Sequence, residues 1–217
     1  AERLLRRSLT LTRKELGEQH PDFTSLLNDL STVLEEQGRY REAEKLLREV
    51  LNHQERVLDP KDPAYAYSLY KLAWLQHQQG KYGEAEPMLL RALDIQEQSL
   101  GTHHPQYAAS LHDLAILRIL QERLSEAEEL LQRSLSILEQ SQNSDVSGVA
   151  TSLHDLARVR KRQGRYAEAE ESMRRAISLK QPLSSTSAAS SIHQLGLIIE
   201  EQGRYPEAEE AYRQSLS

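Results

Sequence analysis

The chain has 217 residues and a formal net charge of -6, from 27 Lys and Arg against 33 Asp and Glu, and this balance disfavours a broad attraction to nucleic acid or to an anionic membrane. It contains no cysteine, which excludes disulfides, thiolate zinc sites and cysteine nucleophiles and makes the cytoplasm the expected location. No apolar run approaches the length of a membrane span or resembles a signal peptide. The opening at Ala1, without an initiator Met, predicts a fragment of a longer protein.

A seven-residue motif recurs along the chain and organises it. The motif is GRYREAE at Gly38, and it returns as GKYGEAE at Gly80, ERLSEAE at Glu122, GRYAEAE at Gly164 and GRYPEAE at Gly203. The spacings are 42, 42, 42 and 39 residues. A fixed period of this length is typical of a repeat protein whose unit is a supersecondary structure.

Each unit is predicted to be a pair of helices that meet at this motif. Apolar residues recur at helical spacing before Gly80, at Leu69 and Leu72, and again after it from Ala85 onwards. Gly80 is predicted to adopt the left-handed conformation that ends the first helix, which costs glycine little. Glu122 stands at the equivalent place in another unit and is predicted to bear a side-chain penalty.

The segment after Glu122 predicts a compensating helix start. The four residues from Ser125 to Glu128 match a capping box, in which the two end side chains satisfy each other's backbone amides. The repeated Glu-Ala-Glu triplets predict structural rather than catalytic carboxylates, because acidic residues near a helix start are stabilised by its dipole.

These motifs resemble the tetratricopeptide repeat family, and the 42-residue period is most similar to the kinesin light chain type. The unit with LAWL from Leu72, QGKYGEAEP from Gln79 and RALDI from Arg91 carries the resemblance best. The resemblance implies an all-α fold, a right-handed superhelical α-solenoid of eleven helices in antiparallel pairs, without a strand. It divides residues 1–217 as a single array into a partial repeat at 1–20, repeats at 21–62, 63–104, 105–145 and 146–184, and an incomplete last repeat at 185–217. The shortening around Pro182 predicts a changed angle between repeats.

In the family that the chain resembles, the first helix of each pair lines a concave binding groove. Helical spacing then selects the residues of that helix that do not pack on its partner. The candidate peptide-binding residues are Asn28, Tyr67, Tyr70, Trp74, His77, His112, Ile116, Ile119, His154, Arg158, Lys161 and Arg162.

Tyr67, Tyr70 and Trp74 place three large rings in one helix of a chain with only one Trp and one Phe. Aromatic side chains are enriched among interface hot spots, which favours contact with a partner. The alternative is packing against the next repeat. Ile116 and Ile119 pose the same choice, between an apolar pocket and the core between repeats.

The sharpest charge run lies between residues 158 and 165, where five Lys and Arg residues occur without an acid. Arg158, Lys161 and Arg162 are predicted to clamp carboxylates of a bound peptide, since the guanidinium fork binds them with defined geometry. The alternative is that these cations only complement the dipole at a helix end.

No catalytic or metal site is predicted. His112, His154 and His193 occupy equivalent places, but helices about 10 Å apart exclude shared ligation at about 2 Å. No phosphate loop, HExxH motif or nucleophile elbow is present, so neither a cofactor nor an enzyme is expected.

The leading hypothesis is a protein-protein interaction scaffold or adaptor that binds a partner peptide, acidic with aromatic or Leu anchors, and neither binds nucleic acid nor inserts into membranes. One alternative is a structural spacer or self-assembly element that forms a homo-oligomer through exposed repeat edges. Another is a ligand-sensing or autoinhibitory domain of a larger signalling protein.

Overall fold

The computed structural model describes residues 1–18, 20–141, 145–180 and 185–216, and in these ranges it contains eleven α-helices and no strand. The helices are α1 Glu2–Glu15, α2 Pro21–Glu36, α3 Tyr40–Val57, α4 Pro63–Gln78, α5 Tyr82–Ser99, α6 Pro105–Leu120, α7 Leu124–Gln140, α8 Val146–Arg162, α9 Tyr166–Lys180, α10 Ser185–Glu201 and α11 Tyr205–Ser215. The predicted all-α class and the number of helices are confirmed. The shortening around Pro182 lies outside the described residues.

The chain divides into two compact units, Ala1–Gly101 and Thr102–Ser217. In the first unit α2 pairs with α3 and α4 with α5, while α1 packs on α2 and α3 on α4. In the second unit the pairs are α6 with α7, α8 with α9 and α10 with α11. We call α2, α4, α6, α8 and α10 the first helices and α1, α3, α5, α7, α9 and α11 the second helices.

One residue of the turn inside each pair has the left-handed backbone conformation that the motif predicts. Gly38, Gly80, Gly164 and Gly203 have φ of 71°, 74°, 77° and 76°. Glu122 takes the same conformation with φ of 61°, and it is the one non-glycine residue with positive φ in the described part of the chain. The predicted side-chain penalty at this turn is therefore confirmed, because a residue with a Cβ is strained there.

The predicted capping box at Ser125 is wrong. The N-cap residue of α7 is Arg123, which forms no side-chain cap bond, so Ser125 already lies inside the first turn. Glu128 is only 8% exposed, and its carboxylate accepts hydrogen bonds from Arg160 and Arg165 instead of capping the helix. The helix starts two residues earlier than the box requires.

The basic residue of each turn bonds one or two glutamates, and Arg39, Arg165 and Arg204 bond two. It first pairs within its own turn, as in Arg39 with Glu42, Arg123 with Glu126, Arg165 with Glu168 and Arg204 with Glu207. It also reaches back to the preceding second helix, where the pairs are Arg39–Glu2, Lys81–Glu44, Arg165–Glu128 and Arg204–Glu170. We call this second set the glutamate ladder.

Glu44 shows how strongly the glutamate ladder holds a carboxylate. Its Oε2 lies 2.8 Å from Lys81 Nζ, and its Oε1 lies 2.9 Å from Arg48 Nη2. Burial raises the pKa of Glu44, but hydrogen bonds from Lys81, Arg48 and Gln79 outweigh burial and lower it to about 2. The triplets therefore serve structure, by joining consecutive repeats.

The core of each unit lies between the paired helices. In the first unit Leu34, Leu47 and Leu72 are almost fully buried, and in the second unit Leu131 and Met173 are. Burying each such side chain contributes about 2 kcal/mol. This packing covers one side of α2 and α4 and leaves residues such as Thr32 and Tyr67 exposed on the opposite side.

Candidate partner-binding surface

The side of each first helix that turns away from its paired second helix forms what we call the first-helix face. In α2 its residues recur at helical spacing and are exposed: Ser25, Asp29, Thr32 and Glu36. Forty-two positions later in α4, the same register holds Tyr67, Lys71, Trp74 and Gln78. The positions that carry hydroxyl and carboxylate groups on α2 thus carry two aromatic side chains, Tyr67 and Trp74, at the equivalent places of α4.

Lys71 links the two first helices of this unit. Its Nζ lies 2.7 Å from Thr32 Oγ1, 3.1 Å from Ser31 Oγ and 3.4 Å from Asn28 O, and 3.9 Å from Glu35 Oε1. Burial lowers the pKa of Lys71 and raises the pKa of Glu35, and the attraction between the two charges opposes both shifts. This link fixes α4 against α2, so the first-helix face is held rigidly.

The predicted aromatic residues differ in their accessibility. Tyr67 is 43% exposed, whereas Tyr70 and Trp74 are half-buried and pack against the core cluster of the first unit. The half-buried His77 ring lies 5.5 Å from the Tyr82 ring, measured between centroids. Tyr67 therefore presents the most accessible ring of this set.

Asn28 lines a cavity of about 290 Å³ between α2, the end of α3 and the start of α4. Its Oδ1 is buried without a hydrogen-bond partner, and so is Gln54 Oε1 in the same cavity. The other lining residues include Thr24, His53 and Ala64, and the lining contains no Asp, Glu, Lys or Arg. The cavity suits an uncharged side chain rather than an ionic group.

In the second unit His112 joins α6 to α8. Its Nε2 lies 3.0 Å from Asp155 Oδ2, and its Nδ1 lies 3.4 Å from Asp113 Oδ1. Arg158 Nη1 donates to the other oxygen of Asp155 over 2.9 Å. Burial lowers the pKa of His112, but hydrogen bonds to Asp113 and Asp155 outweigh burial and raise it to about 9. His112 is therefore a cation at neutral pH, fixed between two carboxylates.

His154 joins α8 to α10 by a different bond. Its Nδ1 lies 2.9 Å from Ser191 Oγ, which also accepts a bond of 3.1 Å from Lys180 Nζ. Because the ammonium group can only donate, the hydroxyl proton of Ser191 is free to point at the ring. Burial lowers the pKa of His154, so this histidine is neutral where His112 is charged.

Most cations of the charge run from Arg158 to Arg165, which we call the α8 run although Arg165 lies in the turn after α8, already hold internal partners. Arg160 and Arg165 bond Glu128, and Arg162 bonds Glu122 and, over 3.2 Å, the carbonyl oxygen of Ile119. Arg158 bonds Asp155, and Lys161 is half-buried with no acid within 4 Å. Arg158 and Arg162 nevertheless keep exposed side chains, so the predicted carboxylate clamp stays a prediction.

The predicted role of Ile119 as a groove residue is wrong. Its side chain is 6% exposed and belongs to a core cluster with Ala115 and Leu131, because it faces the paired helix α7. Ile116 is half-buried and packs against the same cluster, while the neighbouring Leu120 is exposed.

Two residues of the first helices have a bridging role that helical spacing in the sequence did not assign to them. Lys71 and Asp155 occupy the same register, 84 positions apart, and each contacts the first helix before its own. A polar side chain at this register is the signal that indicates a bridge, but only packing shows that it is buried. In the described ranges, no group of His, Asp and Glu is arranged to hold a metal ion and no helix is long and apolar enough to cross a membrane.

Comparison with known families identifies the class of protein. The family model described as tetratricopeptide repeat matches residues 1–52, 22–98, 77–140, 120–182 and 148–217. These overlapping matches span the chain, which therefore belongs to the tetratricopeptide repeat family. The predicted family and its fold of stacked helix pairs are confirmed.

Among solved structures, the chain is similar to nearly identical TPR-like repeats of the kinesin light chain class from Podosopora anserina, at 28% identity over 90% of this chain and 94% of that one, with a TM-score of 0.76. BtubC (BKLC) from P. vanneervenii has 20% identity over 99% and 87%, with a TM-score of 0.84. A Rap protein complexed with competence and sporulation factor has 17% identity over 99% and 63%, with a TM-score of 0.71. The search of curated proteins gives no match.

Proposed function

We propose that the chain is an interaction scaffold or adaptor module, not an enzyme, whose first-helix face binds a peptide segment of a protein partner in the cytoplasm. The observation that carries the proposal is the exposed ring of Tyr67 on α4, in register with the exposed polar side chains of α2. Exposed rings offer a large contact area at low entropic cost, and hydroxyl and carboxylate groups can bond a peptide backbone.

Rigidity of the surface supports binding. Lys71 ties α4 to α2 in the first unit, and the His112–Asp155 pair ties α8 to α6 in the second. Because these links are buried and bonded on several sides, little side-chain freedom in them remains to be lost when a peptide docks. A preorganised surface of this kind favours a defined partner.

The partner we propose is a segment with an aromatic or Leu anchor and acidic residues. In the first unit the uncharged cavity beside Asn28 suits an uncharged anchor side chain, and in the second unit, taken by itself, the exposed guanidinium groups of Arg158 and Arg162 offer contacts to carboxylates. The Rap protein of the same fold, whose structure is a complex with a factor, supports binding as a use of this architecture.

Peptide arrays varied in acidic and aromatic content test the proposal, with Tyr67→Ala compared against Tyr205→Ala. Tyr205 is also exposed but lies on the second helix α11, so it is a matched control. We expect Tyr67→Ala to weaken the best peptide by about tenfold or more, and Tyr205→Ala to leave it unchanged. Equal effects of the two substitutions would contradict the use of the first-helix face.

The same arrays test the clamp when Arg158, Lys161 and Arg162 are changed to Glu. Loss of acidic peptides supports the clamp only if the variant keeps the parent's helical content and unfolding midpoint, since Arg158 and Arg162 also bond internal acids. Unchanged binding of acidic peptides would reject the clamp and leave the Tyr67 site to be judged by its own variant.

A second candidate function is self-assembly, and one observation favours it. Leu4 and Leu11 lie seven residues apart on the same side of α1 and are 70% and 52% exposed. Exposed leucines at this spacing form the type of stripe that another helix covers. Light scattering of the parent beside Leu4→Glu with Leu11→Glu tests it, with Leu90→Glu on α5 as control. A monomeric parent would exclude self-assembly through α1.

A further inference from the structure

A stripe of basic and polar residues runs along the solvent side of α3, on a second helix. It consists of Arg41, Lys45, Arg48, Asn52 and Arg56, which we call the α3 stripe. These positions follow each other by four, three, four and four residues, so all five project from one side of the helix. All five residues are exposed, and the stripe spans about 22 Å of helix axis.

The cations of the α3 stripe are mostly unpaired, whereas the acids around them are paired. Among the residues that the structure describes, Arg41, Lys45 and Arg56 have no acid within 4 Å, and only Arg48 of the stripe forms ion pairs, with Glu44 and Glu84.

The acids near the stripe other than Glu44 and Glu84 are engaged elsewhere. Glu18 and Glu49 form ion pairs with Arg13, and Glu42 forms one with Arg39. Glu55 accepts a hydrogen bond from the hydroxyl group of Tyr65. The acid-rich chain therefore carries a local surplus of free positive charge on this helix.

An open cleft lies on each side of the α3 stripe. Towards the start of α2 a cleft of about 410 Å³ includes Phe23, Lys45 and Arg56 together with Glu18 and Glu49, whose carboxylates pair with Arg13. Towards α5 a cleft of about 400 Å³ includes Leu69, Leu72, Met88 and Arg91 together with Glu55, which bonds Tyr65. Arg48 and Asn52 line both clefts. Arg91 stacks on the Tyr65 ring at 5.0 Å and has no acid within 4 Å in the described part of the chain, so the second cleft joins an apolar floor to a cation without an ion pair.

The equivalent surface of the second unit has a different chemistry. Eighty-four positions after the stripe, α7 carries Ser125, Glu129, Gln132, Ser136 and Gln140. In the matching cleft, of about 250 Å³, Arg175 bonds Glu139 and Arg160 bonds Ser172. Leu153 and Leu156 line this cleft as Leu69 and Leu72 line the cleft of α3, so the repeat architecture produces the apolar floor but not the unpaired cations of α3.

We propose that the α3 stripe is a second docking surface, separate from the first-helix face, for an acidic peptide segment with large apolar side chains. Its carboxylates contact Arg41, Lys45 and Arg56, and its apolar side chains enter the cleft over Leu69, Leu72 and Met88. The carboxylate nearest this cleft meets Arg91. An extended segment of about seven residues matches the length of the stripe.

The clefts favour a peptide over an anionic membrane as the occupant. A bilayer surface contacts protruding charges, while the apolar floor at Leu69 and Leu72 lies below the level of the stripe and is reached only by individual side chains. The net charge of -6 also opposes adsorption of the whole chain to anionic lipid.

The test is fluorescence anisotropy of the full chain with a fluorescein-labelled acidic peptide that has Leu or Phe at every third or fourth position. The variant Arg41→Gln, Lys45→Gln and Arg56→Gln removes three positive charges without breaking an internal ion pair. The control Ser125→Glu, Ser136→Glu and Gln140→Glu, at register-equivalent positions of α7, changes the net charge by the same amount. A third variant, Tyr67→Ala, reports on the first-helix face.

We expect the stripe variant to weaken binding by about tenfold or more and the control by less than about twofold. Replacing the apolar residues of the peptide by Ser should weaken binding further. Equal loss in the stripe variant and the α7 control would overturn the proposal, and so would loss in Tyr67→Ala alone. Binding to phosphatidylserine vesicles that depends on the stripe, without peptide binding, would also overturn it by identifying a lipid surface.

Discussion

Two basic segments of the molecule, the charge run of α8 and the α3 stripe, put their cations to opposite uses. The run from Arg158 to Arg165 contains no acid in sequence, yet four of its five cations bond acids supplied from elsewhere in the second unit. In α3 acids and bases alternate in sequence, yet apart from Glu44, which pairs with Arg48, the acids bond partners outside the helix, and the stripe stays positive.

The difference follows from helix geometry. Consecutive helical residues point about 100° apart, so a run of neighbouring cations is spread around the helix and several of them meet adjacent helices. Residues four apart share a side, so a stripe with other residues in between concentrates charge on one surface. In this chain, most cations that are neighbours in sequence bond acids of their own unit, whereas cations at helical spacing form an exposed surface that a partner can reach.

The largest expected effect concerns Glu128, the buried acid that the α8 run bonds. Glu128→Gln leaves Arg160 and Arg165 without their shared carboxylate, and we expect the free energy of unfolding to fall by about 2–4 kcal/mol. Urea unfolding followed by circular dichroism measures the change. Glu129→Gln, one residue along but exposed, is the control, with an expected change within about 0.5 kcal/mol. Similar values for both would mean that the run is not structural.

The second prediction concerns His112, whose partner Asp155 also holds Arg158. The pKa of His112 is about 9 in the folded chain against an ordinary value of 6.5. Because folding raises this pKa, protonated His112 stabilises the folded chain. Its contribution to the free energy of unfolding, up to about 3 kcal/mol, is complete below pH 6.5 and is lost as the pH rises from 6.5 to 9.

The measurement is the free energy of unfolding of the parent and of His112→Gln at several pH values above 6.5. The gap between the two proteins should close as the pH rises through this window. Below pH 6.5 the lowered pKa of His154 adds the opposite dependence in both proteins, so that range is left out. A gap that stays constant up to pH 9 would show that His112 is neutral in the folded chain.

The third prediction sharpens the role of Arg162 in the run. Glu122 is strained at φ of 61° but also pairs with Arg162, so Glu122→Gly relieves backbone strain and removes an ion pair at once. In an Arg162→Gln background only the relief remains, and we expect Glu122→Gly to stabilise that variant by about 1 kcal/mol. In the parent the gain should be smaller by about 0.5 kcal/mol. Equal gains in both backgrounds would show that the ion pair contributes nothing.

The smallest effect is expected for the α3 stripe itself. Arg41→Gln, Lys45→Gln and Arg56→Gln together should change the free energy of unfolding by no more than about 0.5 kcal/mol, because these side chains hold no internal partner. The change should favour the folded state slightly, since like charges are removed from one side of a helix. Thermal unfolding at low salt measures it. A clear loss would assign the stripe to stability rather than to binding.

Sequence alone predicts the fold well and the surfaces poorly. The 42-residue period, the left-handed glycines and the strain at Glu122 follow from local residue chemistry, and the structure confirms them. Ser125 failed as a cap because the turn places Arg123 at the helix start, which a four-residue pattern does not fix. Ile119 failed as a groove residue because which side of a helix is covered depends on the neighbouring helices.

The glutamate ladder has a consequence for how such a chain changes length in evolution. Four turns supply a cation to the previous repeat, and the second helices with Glu2, Glu44, Glu128 and Glu170 supply the acids. In these four pairs the cation and the glutamate stand at the same positions of the repeat motif. A duplicated unit can therefore form the same ion pair with the unit before it and the unit after it. Deletion of a whole 42-residue period keeps the ion pair at the new junction, whereas deletion of part of a period leaves a glutamate without its cation. The chain is therefore suited to growth and loss by complete repeats.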